Sequence, residues 1–206
     1  MRRVLLITLS LVFALVGWST VGAEDGFYVI PVMKGKYAPV PKTGQTTPYG
    51  TGTDGALQKG VTSPTPRFTD NNNGTVTDKL TGLIWMKNTQ FFPNGAYGYL
   101  TWTDALSNAN GLKSGSAGLT DGSKAGDWRL PNLKEFQSLF DYGGFLPALS
   151  AGHPFTAPST YYWSSTTNIG HAANAWVVKF DYGTIEDIDK TYNFYVQGLW
   201  CVRGGP

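Results

Sequence analysis

A chain of 206 residues with a formal charge of +2 holds one globular domain with an extension, and offers no general case for a nucleic-acid or anionic-membrane partner. Its single cysteine, Cys201, excludes an internal disulfide, so stability must come from packing. With 26 Gly and 12 Pro, the composition favours short strands and many loops over long helices.

The first element reads as an address. Arg2 and Arg3 precede an apolar run from Val4 to Gly17, and Val21-Gly22-Ala23 supplies small residues at a cleavage position. Residues 1–23 are therefore expected to form a removable signal peptide. The alternative is an uncleaved anchor, for which the run is short. The arginines lack the flanking pattern of a twin-arginine signal, and no cysteine marks a lipoprotein. Cleavage removes two of 16 Lys+Arg, leaving 14 against 14 Asp+Glu. The mature chain is then neutral, with no membrane span, and is expected to be secreted, periplasmic or at the cell surface.

Residues 24–66 form a Pro- and Gly-rich arm. Phe27-Tyr28-Val29-Ile30-Pro31-Val32 allows one short strand, while Thr43–Thr47 and Gly50–Gly55 read as turns. The arm is either laid on the domain or acts as a spacer.

A domain is expected over 67–206. Arg67–Asp70 and Thr75–Asp78 predict a hairpin turning at Asn73-Gly74. The Asp/Asn-rich loop between them also permits a calcium reading, but those residues are equally what a turn needs. A strand over Leu83–Met86 follows. Thr101 caps a predicted helix carrying Trp102, Ala105, Leu106 and Ala109, with Gly111 as its stop. A polar loop runs from Leu112 to Gly126.

Trp128-Arg129-Leu130 then leads through Pro131 to Asn132, an N-cap whose capping box is completed by Glu135. Leu133, Phe136, Leu139 and Phe140 share one helical face, and Gly143-Gly144 is the expected stop. A Pro-punctuated loop covers Phe145–Ser159. The last third predicts strands over Tyr161–Thr166, Ala175–Asp181, Tyr195–Gln197 and Leu199–Arg203, an α+β domain with antiparallel sheet.

Catalytic material is sparse. His153 and His171 are the two histidines, without metal-ligand spacing. Ser164 and Ser165 lack a nucleophile-elbow motif, so the protein is not expected to be an enzyme. Binding has better candidates. Trp163 and Trp176, with Trp85, Trp128 and Trp200, offer aromatic faces to sugar rings or serve as core. Asp181, Glu186, Asp187 and Asp189 form either a calcium site or a solvated hairpin loop. Lys113, Lys124 and Arg129 bracket the polar loop and suit sulfate or carboxylate groups, unless they are scattered surface charge. Cys201 reads as a buried small hydrophobe or as a reactive or chain-bridging thiol.

Several blocks agree with one family. Arg67-Phe68-Thr69-Asp70, Gly74-Thr75-Val76-Thr77-Asp78 and Thr81-Gly82-Leu83-Ile84-Trp85 resemble the opening of the Lcl C-terminal domain. Trp128-Arg129-Leu130-Pro131, Tyr162-Trp163-Ser164-Ser165 and Cys201-Val202-Arg203 resemble its later landmarks in order. Pro41–Thr46 is similar to the segment often found ahead of it. The resemblance covers roughly 67–204. It implies a fold like that of C-type lectins and formylglycine-generating enzymes, with two short helices around a twisted, loop-rich β core. It also implies adhesion, since the founding member is a collagen-like adhesin associated with sulfated glycosaminoglycans. This chain departs from the pattern in having no Gly-X-Y region and no partner for Cys201. The cysteine pair of formylglycine-generating activity is thus missing. The expected function is a non-enzymatic binding or adhesion module for a glycan or sulfated polysaccharide. The alternative is a structural subunit that docks on a protein partner, or on itself, through its arm or closing strand.

Overall fold

The structure, a computed structural model, describes residues 40–91, 100–156, 158, 161–192 and 198–204, all within one compact unit. The signal segment and the strands expected over Phe27–Val32 and Tyr195–Gln197 lie outside the described residues. The elements run α1 (Asp54–Leu57), β1 (Phe68–Asp70), β2 (Thr75–Asp78), β3 (Ile84–Met86), α2 (Trp102–Gly111), α3 (Leu133–Leu139), β4 (Tyr161–Thr167), β5 (Asn174–Lys179), β6 (Thr184–Asp189) and β7 (Val202–Arg203). They build two antiparallel sheets, ordered β1-β2-β3-β7 and β4-β5-β6. The α+β expectation holds at this level.

The first hairpin forms where its alternation predicted, but its link is longer than a two-residue turn. Asn71 N–H bonds to the Thr75 carbonyl at 3.0 Å, and Asn72 and Gly74 both take positive φ. Gly74 is required twice over, by its φ of +82° and because a Cβ there would strike the Gly118 carbonyl. Side-chain oxygens of this loop serve the loop, and the second Asp70 oxygen pairs with Lys87. Asp70 accepts from the Asn72 N–H and Asn73 from Thr75. The turn reading of these residues therefore stands over the calcium one.

The helix α3 sits where the two sheets meet. Asn132 accepts from the Glu135 N–H at 2.9 Å and Glu135 from the Asn132 N–H at 2.7 Å, the reciprocal cap expected from sequence. The Phe136 ring lies 5.7 Å from Trp85 of β3, 6.2 Å from Tyr162 of β4, and 5.9 Å from Phe180 and Trp200. One side chain thus touches both sheets. The helix stops at Leu139 rather than at Gly143-Gly144. Phe140 turns into extended backbone to pack on Phe180 at 5.1 Å, and that contact outweighs one more helical turn.

Strand β4 bulges between Trp163 and Thr167, and the bulge clips it to the start of α3. Ser165 N–H donates to the Pro131 carbonyl, and Leu133 N–H to the Thr166 hydroxyl. The helix α2 begins at the expected Thr101 cap and anchors through Trp102, whose indole N–H reaches the Ser164 carbonyl at 2.8 Å.

The first hairpin is tied to α3 by a buried ion pair. Arg67 forks onto Asp78 at 2.9 and 2.8 Å and also donates to the Ser138 carbonyl. The closing strand is two residues long and flanked on both sides, by β3 and by an Arg129–Val202 bridge.

Residues 40–66 of the arm lie on the domain. Tyr142 N–H donates to the Thr43 carbonyl at 2.7 Å, and Gly44 packs so closely on Asp141 that a Cβ would collide with the carboxylate. The short α1 starts in the Gly50–Gly55 stretch expected to be turns and runs on to Leu57. No helix among the described residues is long and apolar enough to cross a membrane.

Candidate functional site

The outer face of the second sheet gathers part of the expected set. Trp176 is partly exposed and stands directly opposite Asp187 in the β5–β6 register, so both side chains occupy one face. Asn174, two residues back on β5, shares that face. One Asp187 oxygen accepts from Asn168 at 2.8 Å and from Asn174 at 3.0 Å, with His171 Nδ1 at 3.5 Å. The amides of Asn168 and Asn174 hold this carboxyl below its ordinary value. The result is an aromatic surface bordered by a fixed carboxylate and two oriented amides, groups that meet sugar rings and sugar hydroxyls respectively.

Trp163 does not join them. It is 1% exposed, and its indole N–H is spent on the Leu100 carbonyl at 2.8 Å. Stacking on a ligand is corrected to a core role there. The neighbouring strands and α2 cover the face of β4 that the alternation left undecided. Trp85, Trp128 and Trp200 are likewise buried.

The four carboxylates proposed for calcium are dispersed, and of the solvated-loop alternative only Asp181 lies in the turn. Glu186, Asp187 and Asp189 belong to β6, drawn into strand by full pairing with β5. Alternation sends Glu186 to the face opposite Asp187 and Asp189. Glu186 pairs with Lys179 at 3.3 Å, Asp189 accepts from Thr191, and Asp181 accepts from the Tyr182 N–H in the turn. Among the described residues no three His, Cys, Asp or Glu side chains are grouped to hold a metal.

The basic residues are only partly assembled. Ser114 N–H bonds to the Ser123 carbonyl, which places exposed Lys113 and Lys124 on either side of one loop neck. Arg129 is engaged elsewhere, forked onto Glu135 at 2.7 and 2.6 Å. An anion taking this guanidinium would have to displace the carboxylate that closes the α3 capping box. Neither histidine stands in an enclosed catalytic setting. His171 is exposed, and His153 stacks on Phe155 at 6.0 Å with burial holding its imidazole below the ordinary value.

Two clefts were not foreseen. One, of about 440 Å³, opens around the Lys87–Asp70 ion pair beside Gly118 and Thr156. The other, of about 390 Å³, lies between the arm and the loops after α3, with Arg67 and Phe140 in its wall. Only the arm's folding back creates this second cleft, and nothing local in its sequence announces that.

The motif blocks can now be placed. Arg67 and Asp78 are the buried ion pair, and Trp85, Trp128, Trp163 and Cys201 are core. Arg203 stacks on Trp128 at 5.3 Å while pairing with Asp121 at 3.1 Å, which pins the polar loop to β7. These blocks encode architecture, so agreement among them identifies a fold and not a ligand. No curated protein matches this chain. The model of the Lcl C-terminal domain matches residues 74–203, more than half of the 206 residues, and the chain belongs to that family.

Proposed function

We propose that this protein is an exported, non-enzymatic binding module of C-type-lectin-like build whose ligand is a glycan. The carrying observation is Trp176, partly exposed in the same face as Asp187, Asn168 and Asn174. Aromatic surface beside fixed donors and acceptors suits a sugar, which presents an apolar ring face and directional hydroxyls. Export rests on the basic-apolar-small pattern of residues 1–23. The lectin-like build is supported by short helices set against two antiparallel sheets with long loops.

A glycan array, read with calcium and with chelator across a salt series, tests the reading. We expect chelator-resistant binding that falls about tenfold in Trp176→Ala, the scale of one aromatic contact, with an unchanged melting temperature. Salt-sensitive binding to sulfated chains that depends on Lys113 and Lys124 would move the site to the loop neck. A folded protein that binds no glycan would overturn the proposal.

A second reading has its own observation. Tyr142, Phe145, Leu146 and Tyr182 are 46%, 71%, 57% and 61% exposed. The Leu146 N–H bond to the Asp181 carbonyl brings their two loops together. Such a patch suits a subunit that docks on a protein partner or on itself. Among the described residues it is a more open docking surface than residues 40–66 of the arm or the closing strand, which are engaged within this chain. Sedimentation velocity would favour this reading if a dimer formed and Phe145→Ser dissociated it.

A further inference from the structure

The geometry points to a second saccharide site, selective for uncharged sugars, in the cleft between the arm and the domain. The inference rests on the glycan reading for its ligand class and on separate residues for its location. Arg67 is the informative group. Its side chain is 6% exposed and it lines the cleft. Nε and Nη2 are committed to Asp78 and Ser138, while Nη1 makes no hydrogen bond among the described residues. A guanidinium that lines a cleft with one nitrogen outside its ion pair can give that nitrogen's hydrogens to a ligand oxygen in place of water.

The surroundings decide which oxygen. Thr46, Thr62, Ser63 and Ser150 line the cleft, and none of their hydroxyls is engaged among the described residues. Each both donates and accepts, as sugar hydroxyls do. Phe68, with the Arg67 guanidinium over its ring at 4.8 Å, and Phe140 give the cleft a buried apolar floor. The charges cancel. Lys42 and Asp141 both line the cleft, and Asp78 matches Arg67. An anion would gain no net attraction from this balance, whereas a neutral polyol uses every group without a charge of its own. A volume of about 390 Å³ falls in the range of small-ligand sites and has room for a mono- or disaccharide.

The test is residue-resolved NMR titration of the full-length gene product with maltose, cellobiose, lactose and chitobiose, set beside digalacturonate. Two variants leave the Arg67–Asp78 pair intact. Thr62→Val removes one hydroxyl at nearly constant volume, and Ser150→Leu fills the cleft. We expect a neutral disaccharide to shift amides of 42–68 and 140–152, with affinity reduced about tenfold in Thr62→Val and abolished in Ser150→Leu. Shifts confined to the Trp176 face would overturn the cleft site while leaving the glycan function standing. Preference for digalacturonate would overturn the neutral-ligand class. Silence toward every saccharide, with both variants folded, would remove the site and the function together.

Discussion

A carboxylate gripped by two amides gives up its bonds when it takes a proton, and Asp187 is in that position. Asn168 first, then Asn174, hold its folded value below the ordinary 3.8. A depressed folded value stabilises the fold above the unfolded value, and that stability is lost as pH falls through the folded one. Asp187→Asn should therefore melt below wild type at neutral pH, with the gap narrowing as the pH drops below 3.8. Melting curves across pH check this, and a gap that persists in acid would assign the loss to packing instead. The sequence made Trp176 and Asp187 visible as candidates, because residue types carry chemistry wherever they fall. It could not separate Trp176 from Trp163. Both lie in strands, and which face is covered depends on α2 and the neighbouring strands.

At the scale of elements, α3 is specified locally and placed remotely. Its capping box spans four residues, so it was legible, as was the Thr101 cap of α2. Its end was not, because Phe140 leaves the helix for Phe180, a contact 40 residues on. The strand β6 was missed for the same kind of reason. Its acidic residues have little strand preference, and pairing with β5 overrides it. The link from α3 to the first hairpin is the Arg67–Asp78 pair with its bond to Ser138. Removing one member of a buried pair strands the other, at a cost of about 3–5 kcal/mol. Asp78→Asn should lower the urea midpoint accordingly, and the double variant Arg67→Met/Asp78→Leu should recover much of the loss. Equal instability in the single and double variants would mean the site is dominated by shape rather than charge.

For the whole molecule, the absence of a disulfide partner leaves the fastening to the core and its buried polar contacts. Cys201 is fully buried, and burial pushes its thiol well above the ordinary value, which leaves almost no thiolate to react. A thiol reagent should leave the native protein unlabelled and modify Cys201 only on unfolding, and a reductant should not move the melting temperature. Labelling of native protein, or a reducible dimer, would reverse that assignment. The α+β class and the packing-only stability were legible from composition and cysteine count. The docked arm was not, because it depends on a partner surface about a hundred residues away, at Tyr142.

The core also joins the two ends of the domain. Trp200 donates to the Met86 carbonyl across 114 residues of sequence and packs at tilted or edge-to-face angles against Trp85, Phe155, Tyr162 and Phe180. The cluster those rings form therefore cannot close before Trp200 is made, 114 residues after Met86. At about 5–20 residues per second, the nascent chain spends several seconds with that aromatic cluster open. A chain whose core stays open for that interval stays threadable, which suits the export proposed for it.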